Sequence, residues 1–176
     1  MNGGEGRSAH AGFRSVLVLA AALVVVDQLS KLWAVSALAG RAPVGVVGDL
    51  IRLRLTYNSG AAFSLAPGFT WFLTLFTTVA VIAVAVIAVR VRSRAWAVAL
   101  GLVLGGAATH LLDRLFREPG PGRGQVVDFI DYSGFFIGNV ADIALVAGVG
   151  LAMLLHLRGV SMTGAVRPVT ADPAAG

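Results

Sequence analysis

Four stretches of this chain are apolar over membrane length, and the segments between them either alternate or turn. They cover residues 15–38, about 69–89, 95–112 and 135–157. Crossing a hydrocarbon core takes about 20 helical residues at about 1.5 Å each, so each stretch is long enough to span. After the first, Ile51, Leu53, Leu55 and Tyr57 alternate with Arg52, Arg54, Thr56 and Asn58. A period of two marks a half-buried strand. The run NSGAAFS (58–64) then turns, and Pro67-Gly68 breaks the chain before the second span. The pattern predicts a short sheet within 40–66, lying on the membrane surface with its arginines toward headgroups and water. In the third span Gly101 and Gly105 stand at GxxxG spacing beside Gly106, Ala107 and Ala108. Small residues in that pattern let helices approach closely in lipid. The run REPGPGRGQ (117–125) reads as a mobile loop. Residues 1–14 and 158–176, rich in Gly, Pro and small side chains, read as disordered tails on either side of one membrane domain, 15–157. The predicted fold class is an all-α membrane protein: four transmembrane helices with a small extracytoplasmic β-cradle.

Composition sharpens that picture. The 176 residues are 57% hydrophobic and 13% charged, with a mean hydropathy of +0.82. An ordinary soluble domain carries about 25% charged residues, so a soluble fold is excluded. The net charge is +5, and of 14 basic residues only Lys31 is a lysine. The arginines flank apolar runs and have no stacking aromatics beside them, so they point to lipid headgroups and topology rather than nucleic acid. RVRSR (90–94) in a very short loop marks the cytoplasmic side. Four spans then put both termini there, with 40–66 and 113–134 on the outer face. Cysteine is absent, which removes disulfides, thiol catalysis and Cys-ligated metals. Arg14, the run Val16–Val26 and SALAG (36–40) also resemble a secretory signal peptide, but Asp27, Gln28 and Lys31 interrupt it where such a segment runs on smoothly.

The candidate chemistry is acidic. The stretch VVDFIDYSGFFIGNVAD (126–142) carries Asp128, Asp131 and Asp142, and Asp142 opens an apolar run. A charged side chain at mid-bilayer costs about 2.5–3.5 kcal/mol or more, so an intramembrane aspartate is a functional candidate by default. Asp113 closes the third span on the same side. Two carboxyls in a low-dielectric site share one proton, and the pair can serve as general base toward water and general acid toward a carbonyl. Asp27 and Lys31, at i and i+4, share a helix face and either neutralise each other in the bundle or support that site. Asp113-Arg114 reads in its plainest form as an ion pair at a helix end. A metal site is the competing use of several carboxylates, but His10 and His156 lie on the far side and His110 alone is near. Neither a metal nor a cofactor is expected.

Five motifs in order carry a resemblance: DQLSK (27–31), NSGAAFS (58–64), GGAATHLLDR (105–114), VVDFID (126–131) and NVAD (139–142). Together, over about residues 15–157, they resemble the lipoprotein signal peptidases, the type II signal peptidases of bacteria. The resemblance implies an intramembrane aspartyl endopeptidase that removes the signal peptide of diacylglyceryl-modified prolipoproteins. It implies Asp128 and Asp142 as the catalytic pair, with Asn58, His110, Asp113, Arg114 and Asn139 ordering and polarising the site and Asp27 supporting it. It also implies residence in the bacterial cytoplasmic membrane, prolipoprotein and membrane lipid as partners, and a monomer. The chain departs from the family pattern at His110, where the family has Asn, and at Gly138, where an aromatic is usual. The segment between the two aspartates is short and the 117–125 loop long. These departures leave room for a catalytically inactive paralogue that binds lipopeptides. A small ion-coupled transporter is a further alternative; it predicts charges deep in several spans.

Overall fold

The computed structural model describes residues 3–60 and 70–163, with side chains from Ala11 onward. Four helices in it are long and apolar enough to cross a membrane. The order of elements is α1 (Gly3–Leu38), β1 (Val44–Val47), β2 (Ile51–Asn58), α2 (Thr70–Ala88), α3 (Arg94–Phe116), β3 (Val126–Tyr132), β4 (Phe136–Gly138) and α4 (Val140–Leu157). Residues 61–64 of the NSGAAFS run and the tail beyond 163 lie outside the described residues.

Helix α3 is the centre of the bundle, packed against α1, α2 and α4. Its small residues make that possible. A Cβ on Gly105 would stand 3.0 Å from the Cα and carbonyl oxygen of Ala20 in α1. One on Gly106 would stand 2.9 Å from the carbonyl oxygen of Ala141 in α4. The GxxxG region is thus a two-sided contact surface, as expected for helices held together by close packing in lipid. Val16, Ala20, Ala88, Val91, Ala97, Leu100 and Leu104 bury a core at one end of the bundle. The outward faces keep Val18, Val25, Leu29, Leu32, Phe76, Val79, Val146 and Val149 exposed. An apolar surface of that extent has lipid as its solvent.

The four strands form one antiparallel sheet in the order β1-β2-β3-β4 at the other end of the bundle. Ala34 and Leu38 of α1 pack there with Phe129 of β3. Both described ends of the chain lie opposite the sheet. Gly12 of α1 abuts the carbonyl of Val91, and the amides of Arg92 and Ser93 donate to the Met162 carbonyl.

The structure differs from the sequence expectation in four places. Helix α1 starts at Gly3, well ahead of residue 15. The sheet is twice the expected one, because 126–138 contributes β3 and β4. The fourth helix consequently begins at Val140 rather than 135. The 117–125 loop is tied down: Gly124 N donates to Arg114 O, Gln125 N to Glu118 O, and Thr74 Oγ1 to Gly122 O.

Candidate active site

The site forms where the sheet meets the ends of α1, α3 and α4. β2 and β3 pair so that Thr56 lies opposite Asp128 and Asn58 opposite Val126. Asn58, ending β2, donates from Nδ2 to Asp128 Oδ2 at 2.9 Å, while its Oδ1 accepts the Gly60 amide at 2.8 Å. Asn139 caps α4. Its Oδ1 accepts the Asp142 amide at 3.2 Å, and Asp142 Oδ2 accepts the Asn139 amide at 2.9 Å. This reciprocal capping box fixes the Asp142 carboxylate at a helix N-terminus, where the backbone dipole favours negative charge. The Asn139 Nδ2 group meanwhile donates to Asp128 Oδ1 at 2.6 Å. One asparagine therefore touches both carboxyls, and the two feel each other's charge.

Asp128 is 3% exposed. Burial pushes its carboxyl up to about 6, and the negative charge of Asp142 adds to the rise. Hydrogen bonds from Asn58 and Asn139 and the charge of His110 oppose it. His110 Nε2 stands 3.1 Å from Asp142 Oδ1 and donates to it whenever that nitrogen carries a proton. It reaches Asp142 in α4 rather than Asp113, three residues along its own helix. Gly138 presses on the same carboxyl: a Cβ there would fall 2.8 Å from Asp142 Oδ2 and 2.6 Å from Phe136 Cε1. The Phe136 ring edge occupies the space that a side chain at 138 would enter.

A second polar cluster lies beneath these residues. Lys31, fully buried, sits 2.6 Å from Asp27 Oδ2 and 2.7 Å from Asp113 Oδ2. Asp27 Oδ1 accepts the Ala141 amide at 2.9 Å, so a carboxylate from α1 holds the first turn of α4. Asp113 pairs with Lys31 and, at 2.7 Å, with Arg117 Nε, not with Arg114. Three residues here were not singled out from the sequence as site members. Gln28 Nε2 donates to Thr109 Oγ1 and Asp113 Oδ1, both at 2.9 Å. Thr109 Oγ1 donates to Asp27 Oδ2. Arg117 Nη2 reaches Gln28 Oε1 at 3.2 Å. Thr109 and Arg117 stand four residues before and after Asp113, a one-face spacing that marks them. Gln28 is visible only once α1 is packed on α3.

The structure thus gathers Asn58, His110, Asp128, Asn139 and Asp142 around one pair of carboxyls, and Asp27 and Asp113 beneath it. Arg114 is 8% exposed, carries its charge near Asp113 and Asp128, and has a buried Nη1 without a hydrogen-bond partner among the described residues. Asp131 has a structural duty instead: it binds Arg52 Nη2 at 2.9 Å and the Gly134 amide at 2.6 Å, closing the β3–β4 hairpin. Among the described residues, no three His, Asp or Glu side chains are grouped to hold a metal ion.

The family described as signal peptidase (SPase) II matches residues 19–158. Curated relatives include a lipoprotein signal peptidase of Mycolicibacterium smegmatis, 44% identical over 166 residues, covering 93% of this chain and 71% of the relative. Another lipoprotein signal peptidase, from Rhodococcus jostii, is 44% identical over 149 residues, covering 85% of this chain and 75% of its own. Among solved structures, a bacterial membrane enzyme determined by the in meso method at 1.9 Å aligns with a TM-score of 0.72 and 26% identity, over 81% of this chain and 92% of the other.

Proposed function

The chain belongs to the signal peptidase II family, and on that premise we propose that it is an intramembrane aspartyl endopeptidase whose Asp128 and Asp142 share one proton. As a family member it is a protease that cleaves signal peptides and an integral protein of the bacterial membrane. The finer reading rests above all on Asn139, which hydrogen-bonds both carboxyls at once. Its side chain holds Asp128 and its backbone amide holds Asp142, so one residue keeps the pair in one geometry for the attack of water on a carbonyl.

The proton belongs to the pair, and burial favours Asp128 as its resting place. Asp142, receiving hydrogen bonds from the Asn139 amide and His110, is the ionised member. It removes a proton from water as the oxygen attacks the scissile carbonyl. Asp128 gives its proton to the carbonyl oxygen, producing a neutral gem-diol. The proton on Asp142 then passes to the departing amine, and Asp128 recovers its own as the carbonyl re-forms. One proton of the water ends on the amine, each carboxyl returns to its starting state, and no covalent enzyme intermediate is formed.

Asn58 and Asn139 orient Asp128, and His110 orients Asp142. Asp27 steadies the turn that presents Asp142, and Asp113 anchors Lys31 and Arg117 beneath the pair. Arg114 supplies a buried positive charge beside Asp128. The relatives' name points to prolipoproteins as substrates. A diacylglyceryl precursor arrives sideways through lipid, so the site belongs at the outer membrane interface, with the 90–94 turn cytoplasmic. Because one chain supplies both carboxyls, a monomer suffices. The test is incubation of purified protein with a diacylglyceryl prolipoprotein, followed by mass analysis. Cleavage before the lipidated cysteine by the wild type, and none by Asp128→Asn or Asp142→Asn, is expected; cleavage by either variant rejects the pair.

A further inference from the structure

The end of the bundle opposite the sheet carries a feature that peptide hydrolysis does not use. Two hollows of ≈560 Å³ each flank α1 there and share Ala11, Ser15 and Leu19 on their rims. One continues between α1 and α3, past Arg92, Arg94, Ala97 and Val98. The other follows α1 along Arg14, Val18 and Ala22. Each therefore joins arginine at its mouth to an apolar wall running toward the bilayer centre.

Gly12 sets this geometry. A Cβ at that position would lie 2.2 Å from the carbonyl oxygen of Val91, so only glycine lets α1 come this close to the α2–α3 turn. The turn's arginines are thereby brought against α1. Positive charge is in excess here: Arg14, Arg90, Arg92, Arg94 and Arg158 gather at this end, and Glu5 is the one carboxylate within residues 1–26, 50–112 and 143–163 of the sequence. Helix α3 starts in the same place. Its N-cap Ser93 makes no side-chain capping bond and its first turn holds no acidic residue. The Ser93 amide donates to the Met162 carbonyl, and the dipole of the helix behind it favours an anion nearby.

From this juxtaposition we infer that the cavity pair is a binding site for an anionic glycerophospholipid. The phosphate sits among Arg14, Arg92 and Arg94 over Ser15, and the two acyl chains run along the hollows on either side of α1. A free phosphate would need only the arginines; the two apolar walls fit a lipid with two chains. Basic pockets between spans are a recurrent way of holding such headgroups. The site is remote from Asp128 and Asp142, so the inference stands or falls apart from the peptidase reading.

Tryptophan reports on it. The chain has three, and only Trp96 lies at this end, with its Nε1 donating to Val160 O at 2.8 Å. In a Trp33→Phe, Trp71→Phe background, detergent-purified protein is titrated with phosphatidylglycerol brominated on its acyl chains. Quenching of Trp96 is expected at a concentration at least fivefold lower than with brominated phosphatidylcholine. Arg92→Gln/Arg94→Gln should abolish that preference while the melting temperature stays within a few degrees. Arg94→Gln alone should reduce it. Ser15→Phe, which fills the shared rim and leaves every charge in place, should also abolish it. Equal quenching by the two lipids, or full preference in the arginine double variant, overturns the site. Wild-type preference in Ser15→Phe overturns it as well, by reducing the effect to diffuse attraction.

Discussion

If Asp128 is held protonated by burial, removing its charge should make the protein more stable exactly where it makes it inactive, and the sign of that effect should reverse with pH. A carboxyl whose value rises on folding adds stability only while protonated. Its contribution is present in full below its ordinary value of 3.8 and is lost as pH climbs through about 6. The difference of about two units corresponds to roughly 3 kcal/mol at 1.36 kcal/mol per unit. Asp128→Asn escapes that loss, because it carries no charge to desolvate. It bears a cost of its own, since Asn58 and Asn139 both donate into the wild-type carboxyl and an amide can accept from only one of them. One lost hydrogen bond to a buried group costs about 1–2 kcal/mol. Near pH 7.5 the variant should therefore exceed the wild type by about 1–2 kcal/mol, or about 2–8 °C in melting temperature. Near pH 4.5 most of the wild-type penalty is gone, and the variant should melt at or below it. Intrinsic tryptophan fluorescence in detergent follows both melts, and cleavage of a lipidated precursor confirms the variant is inactive. A melting difference that is the same at the two pH values would refute the protonation of Asp128.

Three other outcomes follow from the same geometry. Loss of the Asp128 proton should give kcat/KM a falling limb near pH 6, and His110→Asn should move that limb upward, because the His110 charge holds Asp128 down; an unmoved limb in the pH–rate profile uncouples them. Lys31→Met should leave two buried carboxylates with Arg117 as their single cation, at a cost of about 3–5 kcal/mol, and sharply lower the amount of folded protein in membranes, with partial recovery on adding Asp113→Asn; normal levels in the single variant would contradict the pairing. Gly138→Ala should displace the Asp142 carboxyl and lower kcat by roughly 10–100-fold with KM little changed, which steady-state kinetics would read directly.

How far the sequence could be read depended on whether a signal was local. β2 was legible because apolar and polar residues alternate over Ile51–Asn58, and the strand occupies those very residues, although both of its faces are half-buried. β3 is nearly all buried, so Val126–Tyr132 shows no alternation, and three-residue β4 is too short to carry a pattern. Phe135–Gly138 then reads as apolar and merges with the last span. The N-x-x-D run at Asn139–Asp142 was the true start signal, a capping box written in the sequence. Asp27 and Lys31 were legible as a helix-face pair, but their partner Asp113 was not. That contact exists only because small residues let α1 and α3 approach.

The same packing explains how so many charges lie near lipid. In the lower cluster, Asp27 and Asp113 supply two negative charges, and Lys31 and Arg117 supply two positive ones. That set is neutral whatever happens above it, so it can hold its shape through a catalytic cycle. The upper set is not closed in the same way. Asp128 lies near Arg114, a permanently charged cation, and Asp142 lies 3.1 Å from His110 Nε2. Two ionised carboxylates would leave a surplus negative charge in a buried site, which desolvation penalises heavily. One shared proton removes the surplus, leaving a single carboxylate and a single guanidinium. The protonation state that aspartyl hydrolysis of a peptide requires is then also the one that this membrane-facing pocket tolerates best.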